Sequence, residues 1–506
     1  SQYTLSLHDA LPISSVSRPI VILEALSSSS LAPSVAPSAN TIGLMLPYAP
    51  VHHLLFRYIN TPLVMTSGNI SDEPIACSDE DAIERLSPIA DYIVTGERKI
   101  HIRTDDSVTR IAFNKPYILR RARGYVPSPV LPSNPFRKTV LGVGAQQKNT
   151  ICYGKGNKAI LSHHIGDLDD MRTYESFLQS ISHLAHAFDL TPEIIAHDLH
   201  PDYLSTRFAV TVAEEYPRFA GIPAYGVQHH HAHAVSCMAD NGLSGPVVGI
   251  ILDGTGFGSD GTIWGGEILV ADEKGFARAG HLLECRMPGG AAAVRDPWRM
   301  ALAYLHAVSV ESARTRYPEA FKAVSDNALS VCRYQAENGQ GPVTTSCGRL
   351  FDGVAALCGI RLSVSHEGQA AVELEQKIDP RVTGAYPFLI ELKNDPCKEP
   401  LVISWIPMIE SVRNDLEHGK TAETIAARFH NGLAEAYAEA AAEIASQTGI
   451  SRVVLSGGCF MNMHLLSLLG SLLESKGLTV YTHNTIPCND GGISLGQAVV
   501  ADNADE

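Results

Sequence analysis

The 506-residue chain has ten cysteines but no C-x-x-C pair among them, which argues against zinc-finger zinc and a disulfide framework alike and leaves buried reduced thiols as the plain reading. No apolar run reaches the length of a bilayer span, and no charged-apolar-small leader opens the chain. A cytoplasmic home without membrane contact is therefore expected. Basic residues are outnumbered, with a formal net charge of -15, which weighs against non-specific binding to a phosphate backbone. The G-x-S-x-G elbow, the Walker A lysine loop and a G-x-G-x-x-G opening a βαβ unit are all missing. Those absences set aside acyl-serine hydrolases, P-loop NTPases and dinucleotide enzymes.

With 45% hydrophobic and 18% charged residues, the chain is long enough for large cores and two or three α/β domains. Residues 1–16 show no usable strand or helix period and are expected to be a foreign or artefactual segment. RPIVILEAL then reads as a strand, and SSSSLAPSVAPSAN as a polar loop. VHHLLFRYI is expected to be a helix with Leu54, Leu55 and Tyr58 turned inward. In TPLVMTSGNISDEP a buried strand, LVM, breaks into a turn carrying Ser67 and Asn69, which is either an anion-holding turn or only a turn. SDEDAIERLSPIADYIV reads as a capped helix leading into a strand. The Pro-rich stretch 126–138 is the clearest linker and separates a first domain, 17–125, from a second, 139–502.

The second domain contains an approximate repeat. TVLGVGAQQKNTICYGKGNKAILSHHIGD and PVVGIILDGTGFGSDGTIWGGEILVADEKG both run strand, turn, strand, turn, strand. Two such meanders facing each other would hold a nucleotide or another phosphate-bearing ligand in a cleft. Glycine turns follow strands at Gly254-Thr255-Gly256, Gly457-Gly458 and Gly491-Gly492, where open α/β sheets place ligands. The helix TAETIAARFHNGLAEAYAEAAAEIASQ, with Ile425, Phe429, Leu433 and Tyr437 every four residues, precedes the second of them.

In GVQHHHAHAVSC, His229 and His233 are four apart, so on a helix both imidazoles share one face and can share one metal ion. Asp253 at a strand end and Asp490 in IPCNDGG are the carboxylates best placed to complete such a set. Lys148 is the one cation of the first meander turn, either a phosphate or oxyanion holder or a solvated lysine. Glu367 meets a sugar hydroxyl or caps a helix, and Asp352 in GRLFDGVAALCG faces a ligand or is an ordinary N-cap. Cys459 in SGGCF lies where a helix N-terminus would lower a thiol pKa.

From about residue 17 to 500 these motifs resemble the HypF family, the carbamoyltransferases of [NiFe]-hydrogenase maturation. LMLPYAPVHHLL, VMTSGNISDEPI, RTDDSVTR and RRARGYVPSPV are similar to the C-terminal part of its YrdC-like domain. VQHHHAHAVSCMADNG, ILDGTGFGSDGTIWGGE, TSCGRLFDGVAALCG, VLSGGCFMN and CNDGGISLGQA are similar to its transferase domain of the actin-like ATPase (ASKHA) type, a two-lobed, ribonuclease-H-like duplicated fold. The resemblance implies that a carbamoyl group from carbamoyl phosphate is activated with ATP as carbamoyl adenylate and passed to the C-terminal cysteine of a partner, HypE, on the way to a cyanide ligand. It implies metal ligation by His229, His233, Asp253 and Asp490, with His230 and His231 outside the set. The ligands suit one divalent ion: zinc, iron or manganese. It further implies phosphate loops at Lys148 and Asp253-Gly254-Thr255-Gly256, with Lys148 and Asp253 as the catalytic pair. The adenosine-binding region falls at Ser456, Gly457, Gly458 and Asn462, and an intermediate-binding turn at Ser67 and Asn69.

The family's acylphosphatase-like domain, paired C-x-x-C zinc fingers and first part of the YrdC-like domain have no counterpart in these 506 residues, so the chain is expected to lack a full adenylation site. Two alternatives stay open. One is O-carbamoyl transfer to a small-molecule acceptor. The other is an RNA-binding YrdC-like module using Arg120, Arg121 and Arg123 beside Tyr125, against which the overall acidity weighs.

Overall fold

Strand pairing sorts the described residues into three sheets. The computed structural model describes residues 7–26, 31–37, 39–70, 73–211, 215–216, 218–308 and 313–504. Contacts divide them into two compact units, 1–227 with 483–504, and 228–482.

The first unit opens with a small sheet of β1 (Ile20–Glu24), β2 (Thr41–Leu44), β3 (Val108–Ala112) and β4 (Lys115–Arg120), in the order β2-β1-β3-β4. Its second sheet contains β5 (Phe136–Gly142), β6 (Cys152–Gly156), β7 (Lys158–Leu161), β8 (Ile194–Asp198) and β9 (Ala224–Val227), in the order β7-β6-β5-β8-β9. β5, β6 and β7 pair antiparallel, whereas β8 joins β5, and β9 joins β8, in parallel. Leu141, Tyr153, Phe177, Ile181 and Phe208 fill one core cluster beside this sheet. The helix Ile493–Asn503 also belongs to this unit. Its Asp502 accepts the Arg137 and Lys138 backbone N–H groups at 2.9 Å each, pinning the start of β5 across 365 residues of sequence.

The second unit repeats the plan. β10 (Val247–Phe257), β11 (Ile263–Ala271) and β12 (Phe276–Leu282) form the meander, followed by the short β13 (Cys285–Arg286), β14 (Val343–Thr344) and β15 (Leu389–Glu391). β16 (Leu401–Ser404), β17 (Arg452–Ser456) and β18 (Thr479–Tyr481) complete a sheet ordered β15-β16-β12-β11-β10-β17-β18. β12-β11-β10-β17-β18 thus matches β7-β6-β5-β8-β9 strand for strand, with the last two again parallel. The α/β duplication expected from the two meanders is present. The long helix spans Ala422–Thr448, capped by Thr421 and closed by a left-handed Gly449. Ile425, Phe429, Leu433 and Tyr437 are fully buried on it. Each such side chain contributes roughly 1.5–3 kcal/mol relative to exposure.

The segment before residue 100 departs most from expectation. Leu7–Ser14 is helical despite Pro12, with Ile13 buried, although its period is too short to read. The next helix is only Pro50–Leu55, and Leu54, Leu55 and Tyr58 are exposed rather than inward. No strand forms at Leu63, Val64 and Met65, which are 37%, 69% and 56% exposed. Apolar runs here lack the paired backbone that would make them strands, since among the described residues no neighbour supplies the ladder. The Asp79–Leu86 helix with its Ser78 cap is as expected, but the strand after it is absent. Residues 1–6 of the opening segment, Ser27–Ser30 and Ser38 of the polar loop, and Ser71–Asp72 lie outside the described residues. No described helix is long and apolar enough to cross a membrane.

Asp502→Ala leaves the part-buried Arg137 and Lys138 N–H groups without their acceptor and is expected to destabilise the first unit by about 1–2 kcal/mol. Chemical denaturation of the full chain should show this loss, largely restored in Asp502→Asn.

Candidate functional site

Asp253 lies where β10 loses register with β11, between the pairs Leu252–Gly266 and Gly256–Trp264. That irregularity turns the chain and aims the carboxylate at the helix His229–Asp240, which is buried along its length as far as Ala239. Asp253 Oδ2 is 3.4 Å from His229 Nε2 and 3.6 Å from His233 Nε2. The three ligand atoms fall within 4.8 Å of one another. Both distances to the carboxylate exceed an ordinary N–H···O bond of about 2.7–3.2 Å. They match the edge of a tetrahedron of donors around one ion, about 3.3–3.6 Å for bonds of about 2.0–2.2 Å. Two imidazole nitrogens and a carboxylate oxygen are also the donor types that zinc, iron or manganese take. The residues therefore fit a divalent metal.

Supporting contacts fix this geometry. Gly458 N–H donates to Asp253 Oδ1 at 3.0 Å, and Ser456 Oγ is 3.3 Å from His233 Nδ1, leaving Nε2 to face the carboxylate. Burial alone would raise the Asp253 carboxyl, but the His229 and His233 imidazoles facing it outweigh that and hold the group well below the usual carboxylate range. His230 is driven well below the ordinary imidazole value by burial, then by His229 beside it, and so is neutral. His231 turns away and meets the Asp272 carbonyl at 2.7 Å. A Cβ on Gly256 would lie 2.4 Å from His230 and 2.6 Å from His229, so only glycine lets the turn close over the histidines. Gly457 has φ +104, and its Cβ would lie 2.3 Å from the Leu252 carbonyl oxygen.

The remaining candidates divide between the units. In the second, Gly254, Thr255 and Gly256 continue directly from Asp253, with Thr255 exposed. Glu367 does not cap: the helix Gln369–Gln376 begins after a left-handed Gly368 without a side-chain cap. Its Oε1 lies 3.8 Å from where a Cβ on Gly254 would be. Asp352 is not an N-cap either, because Ser346 caps the Cys347–Leu357 helix and Asp352 sits inside it. Asn462 caps the Met463–Ser475 helix through Leu465 N–H, and its amide is 2.9 Å from His430 Nε2. The Cys459 thiol is pushed up, not down, by a hydrogen bond with Cys347 and by burial.

In the first unit Lys148 has φ +46, and its N–H donates to Asp167 at 2.7 Å. The Asp490–Gly492 turn packs beside it, with Thr150 donating to the Gly491 carbonyl at 3.0 Å. Ser67 is exposed, and Asn69 donates to the Ile70 and Glu73 carbonyls. The basic triplet is turned inward. Arg121 donates to the Tyr125 and Ser128 carbonyls, Arg123 pairs with Asp106 and covers the Tyr48 ring, and Arg120 donates to the Asp106 carbonyl.

Sequence reading passes over Arg349, three residues before Asp352. Opposite charges at i, i+3 in GRLFD are the signal that finds it.

The comparisons with known proteins agree along the chain. Residues 136–240 match the family described as the HypF Kae1-like domain, and residues 249–497 match "Carbamoyltransferase, Kae1-like Domain, second subdomain". Residues 7–122 match a family described as "Telomere recombination", which includes the YrdC-type domains. The carbamoyltransferase HypF of Synechocystis sp. is 38% identical over 96% of this chain and 63% of its own length. That of Rhizobium leguminosarum bv. viciae is 40% identical over 96% and 62%. The chain thus spans a little under two thirds of these relatives. A Cupriavidus necator protein named carbamoyltransferase HypF homolog is 35% identical over 73% of this chain and 93% of its own. The crystal structure of a full-length HypF in the phosphate- and nucleotide-bound form superposes with a TM-score of 0.91, at 40% identity, covering 99% of this chain and 76% of the other. By sequence along nearly its whole length and by fold, this chain belongs to the HypF family.

Proposed function

We propose that the chain performs the transfer half of an ATP-dependent carbamoyltransferase reaction in [NiFe]-hydrogenase maturation, moving a carbamoyl group from carbamoyl adenylate to the C-terminal cysteine of HypE. The observation that carries this reading is the spacing of the His229, His233 and Asp253 ligand atoms beside two glycine turns. We assign Asp490 as the fourth ligand on its match to the family motif. A divalent ion held there would neutralise phosphoryl charge and polarise the carbamoyl carbonyl.

The chain's own residues do the rest. Gly254, Thr255 and Gly256 present backbone to the phosphate, and Lys148 supplies a cation for it or for the developing oxyanion. Ser456, Gly457, Gly458 and Asn462 frame the adenosine, and Glu367 takes a ribose hydroxyl. Ser67 and Asn69 hold the intermediate before transfer. In the step itself the acceptor thiolate attacks the carbamoyl carbon, the carbon–sulfur bond forms, and the bond from that carbon to the phosphate oxygen breaks to release AMP. Carbamoyl phosphate and ATP are the ultimate sources of the transferred group.

Purified chain is expected to contain about one equivalent of iron, zinc or manganese by elemental analysis, and His229→Ala or His233→Ala should fall to near none at wild-type stability. Retention of the metal in both variants would defeat the ligand assignment. Supplied with carbamoyl adenylate, the chain should carbamoylate HypE, read by mass spectrometry, and lose that product when the terminal cysteine of HypE is changed to serine. A product on a small alcohol with none on HypE would point to O-carbamoyl transfer instead.

A further inference from the structure

Beside the Asp253–Gly256 turn lies a buried charge cluster with an incomplete set of partners. The Cys347–Leu357 helix starts there: Ser346 Oγ donates to the Gly254 carbonyl at 2.7 Å and accepts the Arg349 N–H at 3.1 Å. The helix N-terminus, with its unsatisfied N–H groups, is therefore fixed against the glycine turn. Arg349 is 4% exposed, and its Nη2 lies 3.8 Å from where a Cβ on Gly254 would be. Glu367 Oε1 lies at the same distance from that point.

Arg349 and Asp352 form an ion pair at 2.9 Å, each side chain about 5% exposed or less. Yet Asp352 Oδ2 makes no contact with hydrogen-bond geometry, and Arg349 Nε and Nη1 are buried without a hydrogen-bond partner. An ion pair kept only for stability would be expected to use the guanidinium fork in two parallel bonds, because each unpaired donor in a dry site costs free energy. Here the fork is engaged at one nitrogen, next to a turn whose bare backbone is open on the Thr255 side.

We propose that Arg349 is an anion-binding residue that takes a phosphoryl oxyanion of the bound nucleotide at the Asp253–Gly256 turn, with Asp352 as the counter-charge it partly gives up. With Nη2 beside both Asp352 and the turn and further donors uncommitted, the guanidinium can serve a phosphoryl oxygen there, and the helix N-terminus adds to the same field. Asp352 fits the role of a displaceable partner: burial pushes its carboxyl up to about 6 against the pull of Arg349, with Glu367 adding to the rise. The assignment rests on the nucleotide reading above, but the anion site can be tested separately.

Calorimetric titration of the full chain with ADP, adenosine and inorganic phosphate separates the cases. Arg349→Gln should weaken ADP and phosphate by about tenfold or more, while adenosine stays within about twofold. Asp352→Asn, which frees the guanidinium, should strengthen ADP binding; a role in stability alone predicts no gain. Unchanged ADP affinity in Arg349→Gln, a parallel loss of adenosine, or weaker ADP binding in Asp352→Asn would each overturn the proposal. If Arg349→Gln does not fold, Arg349→Lys, which keeps the charge but not the fork, and Asp352→Asn decide it. Phosphate bound by the wild type and lost in Arg349→Gln, with adenosine never bound, would sink the nucleotide reading and keep the anion site. A wild type that binds neither ADP nor phosphate would overturn both.

Discussion

The second unit depends on one carboxylate held at a break in a strand. Asp253 belongs by sequence to β10, but the lost register between Leu252 and Gly256 lifts it off the ladder, and Gly458 N–H and the two imidazoles fix where it points. A buried carboxylate without partners would protonate or drag water inward. Here three groups converge on it from two elements: the histidine helix supplies two imidazoles and the turn after β17 an N–H. Strand order explains the convergence, because β17 lies parallel beside β10, and both end at the same edge of the sheet.

Much of this was legible in the residues. The two meanders read as a repeat because glycine turns and apolar strands recur in the same order, and the observed strand orders agree. The His229/His233 spacing read as a ligand pair because helical geometry alone puts residues four apart on one face. The long helix read correctly because Ile425, Phe429, Leu433 and Tyr437 carry its period.

What the residues concealed has physical causes. Leu63–Met65 has the composition of a strand, but composition does not provide a neighbour to pair with, and among the described residues it has none. Asp352 read as either a ligand-facing group or a cap, because capping is the common use of a carboxylate near a helix start; the true cap, Ser346, is one residue before the helix. The Cys459 thiol was expected to be acidified by helix amides, but it is buried and hydrogen-bonded with another thiol, Cys347. Arg349 stood in plain view and drew no attention, since an arginine's number of partners is a fact of three dimensions.

The return of residues 483–504 to the first unit orders events in time. The helix Ile493–Asn503 packs on β5, β6 and β8, and Asp502 closes the start of β5. Everything in the second unit is synthesised between β9 and that helix. On the ribosome, therefore, the second unit can complete its sheet first, while the earlier-made sheet waits for its last piece. A chain released a few residues early would carry a finished second unit and an open first one, with the face of β5, β6 and β8 that the helix covers left bare during the wait.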